Sequence, residues 1–369
     1  MVRIISNSPI AIIGGGPGGL SAAIKAAELG LEVHLFEKGE IGSGIKCAEG
    51  FIDTLGVLRK PAAGVLFKVG RVNFFNGRAH YVNLPENLGL WMIDRATWQK
   101  SLAKRAASLG VDIRENCPID KEQLSRMMGD YGYVIDASGA PSLTSKVYGF
   151  LSDYTKNATL LAQYAVEGDF SFVGPNTILV GYERRYIGYY YVFPKGPDIA
   201  NVGVGRFNHA KKNRGVRLKR ELDRLLSHLG LRDYRILNRF SSFTPSIGIT
   251  QLVWENVLLV GDAAALCSPL HGGGMDMACL SGRMAAELIA SNQVDRYPQR
   301  LWHMVKKKFI MERRTGHLWR LFGNPLISCV LKSPELVRRI IFNKPPLPQL
   351  IGLIPSVRNI TSRCNPFAK

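Results

Sequence analysis

A glycine-rich turn near the start of the chain constrains the fold more than any other feature of the sequence. The stretch IAIIGGGPGGLSAAIKAAELGLEVHLFEK reads as a buried strand, a glycine turn, a helix and a second strand. Gly14, Gly16 and Gly19 let the backbone approach a pyrophosphate, and the helix N-terminus stabilises its charge. Glu37 ends the second strand, where a carboxylate binds ribose hydroxyls. The pattern predicts a dinucleotide site but does not separate FAD from NAD.

The remaining elements predict an α/β fold with an α+β second domain. Apolar strands recur at 132–139 and 256–264, and helices are predicted at 94–110, 215–230 and 274–290. Residues 158–210 are rich in Val, Tyr and Gly and predict an antiparallel sheet, and 67–84 predict a hairpin that turns at Asn76-Gly77. We therefore expect a Rossmann-type domain interrupted by an antiparallel-sheet domain and followed by a helical C-terminal tail.

The predicted domain boundaries follow from this order of elements. Of the 369 residues, 46% are hydrophobic, which is enough to form a sizeable core. The six cysteines show neither a CxxC pair nor a zinc-type spacing, so we expect a reduced, cytosolic chain without a metal site. The nucleotide-binding domain is expected in three parts, at 1–66, 89–150 and 249–295. The sheet domain is expected in two parts, a hairpin at 67–88 and an antiparallel sheet at 151–248. A C-terminal region follows at 296–369.

A second glycine-rich stretch decides between the two cofactors. In VGDAAALCSPLHGGGM, Asp262 ends a strand and three glycines open a helix, which offers further backbone N–H donors. The stretch resembles the second FAD signature of p-hydroxybenzoate-hydroxylase-type flavoproteins, in which the aspartate binds the ribityl chain. Ala265 stands where histidine is common in that family. The resemblance, which also includes DASGAPS at 136–142, implies FAD as the cofactor.

Two further stretches indicate a branch of this superfamily. IGSGIKCAEG and GYYYVFPKGPDIANVGVG resemble the geranylgeranyl reductase family, which includes the digeranylgeranylglycerophospholipid reductases. Tyr191 stands where that family has tryptophan. WMIDRATWQKSL resembles the family segment that carries an FAD-contacting arginine, here Arg95. The resemblance implies FAD contacts from Gly18, Cys47, Ala48, Gly50, Arg95, Ile119, Asp262, Gly274 and Met275.

The chemistry at Cys47 has two interpretations. The resemblance implies that Cys47 lies beside the flavin, where a thiol orients the alkene or relays a proton, whereas a free cysteine also behaves as a small packing residue. Glu49 is either an acid or a cap, and His271 lies near the flavin or turns a loop.

The candidates for the substrate cavity come from one predicted strand and the FPK stretch at its end. Successive side chains of a strand alternate between its two faces, so only some of the tyrosines there can face a cavity. The candidates are Tyr189, Tyr191, Phe193, Pro194 and Lys195.

The implied function is an FAD-dependent reductase that saturates isolated double bonds of a prenyl lipid by hydride transfer and protonation. Without a second dinucleotide motif, the electron donor is expected to visit transiently, as NAD(P)H or as an acidic protein such as ferredoxin. An FAD-dependent monooxygenase shares the FAD signatures and is the chief alternative. A non-catalytic FAD-binding lipid protein is the alternative outside the enzymes.

The C-terminal region carries most of the excess positive charge. From Arg296 onward there are 15 Lys or Arg residues and two acids, which accounts for +13 of the net +19. Such a region, mixed with apolar residues, binds an anionic membrane surface, caps the second domain, or docks an acidic electron carrier. We expect a cytoplasmic protein held peripherally at the inner face of the membrane, with no nucleic-acid partner. Apolar runs are too short for a spanning helix.

Overall fold

The strands and helices follow the predicted order closely. The computed structural model describes residues 8–339 apart from 57, 59, 156–157, 183–184, 209–214, 232, 247–249, 334–335 and 338. The strands are β1 (Ile10–Ile13), β2 (Val33–Phe36), β3 (Gly50–Ile52), β4 (Val65–Lys68), β5 (Arg71–Phe75), β6 (Ala79–Asn83), β7 (Leu90–Ile93), β8 (Asp112–Arg114), β9 (Tyr133–Asp136), β10 (Thr159–Glu167), β11 (Thr177–Gly181), β12 (Gly188–Pro194), β13 (Ile199–Phe207), β14 (Arg235–Thr244), β15 (Val253–Trp254) and β16 (Val257–Leu259). The α-helices are α1 (Pro17–Glu28), α2 (Arg95–Ser108), α3 (Lys121–Asp130), α4 (Leu143–Tyr148), α5 (Leu218–His228), α6 (Met275–Ala290), α7 (Tyr297–Phe322) and α8 (Asn324–Leu331).

The first sheet carries the nucleotide signature. Its strand order is β15-β16-β9-β1-β2-β8, parallel except for the β15–β16 pair. The four residues of β1 are all buried, as expected for a central strand covered by helices on both faces. Because parallel strands share a direction, the turns after β1, β2 and β16 all lie at one edge of this sheet.

The second sheet is the antiparallel one predicted for 158–210. Its order is β14-β10-β13-β12-β11-β5-β6, and β5 joins it in parallel with β11. The predicted hairpin is formed by β5 and β6, with Gly77 at positive φ in the turn. A small third sheet of order β3-β7-β4, which the sequence did not predict, joins the stretch after Cys47 to the start of α2.

The C-terminal helices bridge the two large sheets. Leu301, Val305 and Phe309 of α7 belong to the core of the first sheet, whereas Trp319 and Ile327 pack with residues of the second. The predicted fold class, a Rossmann-type unit with an antiparallel-sheet partner and a helical C-terminal part, is therefore confirmed. Within the described ranges, no helix has both the length and the apolar character needed to cross a membrane. The proline-rich stretch 345–355 lies outside the described residues.

Candidate active site

A single continuous cavity of about 880 Å³ runs from the carboxyl edge of the first sheet to the face of the second. One end is bordered by the glycine turn after β1, and the other by apolar side chains of β12, α7 and α8. The stretch that carries Cys47 also lines this cavity.

The glycine turn is a cradle that larger residues would fill. Gly14 has φ +107, and a Cβ there would collide with the carbonyl of Ala137. A Cβ at Gly19 would collide with the carbonyl of Gly14, so Gly19 serves close helix–turn packing. At Gly16 a Cβ would meet no atom within 4 Å, because this glycine borders the open cavity. The space beside the N-terminus of α1 fits a pyrophosphate.

Glu37 lies directly after β2 and is fixed by two backbone groups. The N–H of Gly15 donates to its Oε2 at 2.6 Å, and the N–H of Gly39 donates to its Oε1 at 3.1 Å. Each carboxylate oxygen keeps a free lone pair, and the side chain borders the cavity. This arrangement fits the binding of ribose hydroxyls.

The first turn of α2 connects the glycine turn with the Cys47 stretch. The Arg95 guanidinium Nε donates to Gln99 Oε1 at 2.7 Å, and Gln99 Nε2 donates to the carbonyl of Gly15 at 3.2 Å. Asp94 caps the helix by accepting the N–H of Thr97 at 3.0 Å. Arg95 therefore borders the cavity beside the turn, in a position that fits the charge of a pyrophosphate.

The turn after β16 leads into α6. Asp262 is exposed to the cavity and accepts a hydrogen bond from the Cys267 thiol at 3.1 Å. Burial and the neighbouring Asp262 carboxylate raise the pKa of Cys267 well above its ordinary value, so this thiol stays protonated. Helix α6 begins at Met275 after Gly274, and both residues border the cavity.

Glu49 is held by a buried ion pair that joins two of the motifs noted in the sequence. Its Oε2 lies 2.8 Å from Lys195 Nζ and accepts from Asn201 Nδ2 at 2.9 Å. Its Oε1 accepts the backbone N–H of Arg95 at 3.0 Å. Glu49 is only 7% exposed and has φ +65, so these three donors maintain both a buried charge and an unusual backbone conformation.

A chain of buried amides continues from this ion pair to Tyr191. Gln163 Nε2 donates to Asn201 Oδ1 and to the carbonyl of Cys47, both at 3.0 Å. The Tyr191 hydroxyl donates to Gln163 Oε1 at 2.6 Å, and burial raises the pKa of Tyr191 well above 10. Asn201 Nδ2 also donates to the carbonyl of Ala48 at 3.2 Å. The backbone of the Cys47 stretch is thus fixed from the second sheet.

The far end of the cavity is apolar. Tyr189, Tyr191 and Phe193 point into it from β12, while Tyr190 faces the opposite side of the sheet and packs with α5. The opposite wall comes from the C-terminal helices and consists largely of aliphatic and aromatic side chains: Trp319, Leu326, Ile327, Val330, Leu331 and Val337. A long hydrocarbon chain fits such a wall.

Comparison with known proteins identifies the family. A family model described as an FAD binding domain matches residues 10–65. A digeranylgeranylglycerophospholipid reductase of Methanosphaerula palustris is 30% identical to this chain over 304 residues, 76% of this chain and 75% of the relative. The chain belongs to the digeranylgeranylglycerophospholipid reductase family. The family predicted from the IKCAEG and FPKG stretches is therefore confirmed.

Two further comparisons cover more of the chain. Digeranylgeranylglycerophospholipid reductase 2 of Methanothermobacter thermautotrophicus is 29% identical over 364 residues, 88% of this chain and 91% of that family member. The crystal structure of a geranylgeranyl bacteriochlorophyll reductase-like protein from Thermoplasma acidophilum has a TM-score of 0.77 with 22% identity. It covers 95% of this chain and 99% of its own, so the fold is shared along nearly the whole length.

Most of the predicted site residues come together in this cavity. Its lining includes the residues predicted for FAD, with the exception of Gly19: Gly14, Gly16, Gly18, Glu37, Cys47, Ala48, Gly50, Arg95, Ile119, Asp262, Gly274 and Met275. Of the residues predicted for substrate, Tyr189, Tyr191 and Phe193 line it. Pro194 and Lys195 are not among its described lining residues, because the strand ends there and Lys195 turns to Glu49.

Sequence reasoning missed the two amides that hold the Cys47 stretch. Gln163 and Asn201 are polar residues on otherwise apolar strands, and both are buried at no more than 3% exposure. A polar side chain on the inward face of a buried strand is a signal that it serves another polar group. The partners of Gln163 and Asn201 lie far away in sequence, so this signal could have indicated that the two amides have a role but not which groups they bind.

Proposed function

We propose that the protein is an FAD-dependent reductase that saturates isolated carbon–carbon double bonds of a prenyl lipid of the geranylgeranyl type. Membership of the digeranylgeranylglycerophospholipid reductase family supports this activity. One observation carries the proposal for this chain: a cradle for a dinucleotide, an apolar arm and the Cys47 stretch all line the same cavity. A hydrocarbon chain in that arm would share the cavity with a flavin held by these residues.

The residues that would hold FAD are those that border the nucleotide end of the cavity. Gly14, Gly16 and Arg95 receive the pyrophosphate, and Glu37 receives ribose hydroxyls. Asp262 and the start of α6 serve the flavin end. Reduced FAD supplies a hydride, the part of alkene reduction that no side chain can provide.

We assign different tasks to the two residues proposed as catalytic. The Cys47 thiol borders the cavity, so it is the candidate group to orient the alkene or to relay the proton that completes saturation. Glu49 also borders the cavity, but its carboxylate is ion-paired with Lys195 and accepts two further hydrogen bonds. Because both carboxylate oxygens are engaged in these contacts, Glu49 serves to position the Cys47 stretch.

A monooxygenase is the other activity that the FAD signatures permit. The two are separated by supplying NAD(P)H or reduced ferredoxin with a geranylgeranyl lipid, with and without oxygen, and measuring the product by mass spectrometry. The reductase proposal expects two added hydrogen atoms per double bond in both atmospheres. An oxygen-dependent product that carries one added oxygen atom would establish the monooxygenase instead.

We also propose that the protein works at the surface of a membrane. Leu321 and Phe322, at the end of α7, are 62% and 55% exposed, next to the helix whose residues form the apolar arm. The C-terminal region carries a net +13, which favours anionic lipid. A cytoplasmic protein held at the inner face of the membrane would receive prenyl lipid there directly.

A further inference from the structure

A buried ion pair within α7 has no role in the chemistry described so far. Lys308 and Glu312 lie one helical turn apart, each is 2% exposed, and Nζ is 2.5 Å from Glu312 Oε1. Burying two charges is unfavourable unless their mutual attraction offsets the lost hydration, and removing one partner leaves an uncompensated buried charge. Two hydrophobic side chains of similar size would often stabilise the fold as well or better, so stability alone does not explain why charged residues stand here.

The ion pair reaches the glycine loop before α6 through His271. His271 Nε2 lies 3.5 Å from Glu312 Oε1, and His271 Nδ1 accepts the backbone N–H of Gly273 at 3.2 Å. With Nδ1 acting as acceptor, the ring proton lies on Nε2 and faces the carboxylate. A Cβ at Gly273 would lie 2.9 Å from the imidazole, so the ring packs directly on this loop.

The carboxylate also faces the cavity. Burial alone would raise the pKa of Glu312, but Lys308 and His271 outweigh burial and lower that pKa to about 2. Glu312 and His271 both border the cavity, and Glu312 Oε2 is buried without a hydrogen-bond partner among the described residues. An ionised carboxylate, paired with Lys308, therefore lies behind the loop that borders the flavin end.

We propose that Glu312, held by Lys308, is a positioning residue that fixes His271 against Gly273 and thereby shapes the loop 272–274 for FAD. The C-terminal helix is then part of the cofactor site as well as a wall of the apolar arm. This inference rests on the proposed binding of FAD and is independent of which prenyl lipid is reduced. The competing explanation is an ion pair that only attaches α7 to the rest of the protein.

A double-mutant cycle on the full-length protein separates the two explanations. We expect Glu312→Gln and His271→Ala each to weaken FAD binding about tenfold, a typical effect for residues in contact, and to change the visible absorption bands of the bound flavin. In the His271→Ala background, Glu312→Gln should add nothing further. His271→Gln, whose amide can accept from Gly273 and donate to Glu312, should restore most of the affinity.

The matched control is Glu221→Gln, which removes an ion-paired, buried carboxylate on α5. It should leave FAD affinity and the flavin spectrum unchanged. If Glu312→Gln alone unfolds, the double variant Lys308→Met, Glu312→Gln removes both charges, and its FAD affinity and flavin spectrum test the same inference. Additive effects of Glu312→Gln and His271→Ala, or a lower melting temperature with unchanged FAD affinity and spectrum, would overturn the inference. A wild-type protein that binds no FAD would overturn the proposed function itself.

Discussion

Single side chains fix the stretch that carries Cys47, and Lys195 is the clearest example. Lys195→Met keeps the length of the side chain but leaves the buried Glu49 carboxylate without its cation. We expect the free energy of unfolding to fall by roughly 2–3 kcal/mol, less than for a fully buried pair because the Lys195 side chain is 26% exposed. Urea denaturation of the wild type and the variant measures this difference.

The control for Lys195 is an exposed ion pair on the same sheet. Arg235 and Glu167 are 73% and 43% exposed, so Arg235→Met should change the unfolding free energy by less than about 1 kcal/mol. Equal stability of Lys195→Met and Arg235→Met would show that the Glu49–Lys195 pair does not hold the Cys47 stretch.

Cys47 itself is predicted to matter for turnover more than for folding. Among the described residues its Sγ accepts one hydrogen bond, from the backbone N–H of Glu49 at 3.2 Å, and the carbonyl of Cys47 is held independently by Gln163. Cys47→Ala should therefore leave FAD content and melting temperature close to those of the wild type, while the reductase rate falls about a hundredfold or more, as expected when a proton-transfer group is lost. The reductase rate of Cys47→Ser, which keeps a hydroxyl in place of the thiol, should lie between those of the wild type and Cys47→Ala. Equal rates for the wild type and Cys47→Ala would reduce Cys47 to a packing residue.

At the scale of elements, α7 makes the stability of the protein depend on pH. The pKa of Glu312 is lowered from 4.5 to about 2 in the folded state, so the folded state favours the charged carboxylate. This contribution is fully present above the unfolded-state pKa and is lost as pH falls from about 4.5 through about 2. We expect the wild type to lose more stability over that range than Glu312→Gln, as measured by denaturation at a series of pH values. Parallel pH profiles for the two proteins would contradict the assignment.

The sequence predicted those elements whose signals are local. The β1–α1–β2 unit, the helix predicted at 94–110 and the Asn76-Gly77 turn follow from glycines and hydrophobic periodicity within a few positions. The third sheet was missed because its strands have three or four residues, too short for a clear period. The packing of α7 and α8 was left open because an amphipathic pattern shows that a helix has a partner but not which one.

The sequence predicted the motifs that form the candidate site but not the contacts between side chains of different motifs. Glycines, Glu37 and Asp262 lie in stretches whose spacing is informative on its own. The contact of Glu49 with Lys195 joins two motifs that are far apart in the chain, and no pattern in either one contains the other. The same holds for His271 and Glu312, which the fold brings together from the glycine loop and the C-terminal helix.

At the scale of the whole molecule, the uneven charge predicts where the protein binds. Leu321→Asp with Phe322→Asp places two carboxylates at the exposed end of α7 without removing lining residues of the cavity. We expect the wild type to float with anionic vesicles at low salt, because basic residues near such a surface contribute about 1 kcal/mol each. The double variant should remain in the soluble fraction with its FAD bound.

Leu237→Asp is the control for the vesicle experiment, because Leu237 is 46% exposed on β14. It should float like the wild type, and raising the salt concentration should release both, since the Debye length is about 8 Å at physiological ionic strength. A wild-type protein that stays soluble with anionic vesicles at low salt would contradict the membrane proposal.

The central claim is that electrons held by the cofactor of this protein pass to an unactivated prenyl double bond, and anaerobic reoxidation tests it most directly. The purified protein with bound FAD is reduced with dithionite under anaerobic conditions, freed of excess reductant, and mixed with a geranylgeranyl glycerophospholipid or with its fully saturated counterpart. We expect the flavin absorption to return only with the unsaturated lipid, together with a product heavier by two hydrogen atoms for each double bond reduced. A flavin that stays reduced with every unsaturated prenyl lipid, or that reoxidises equally with the saturated one, would contradict it.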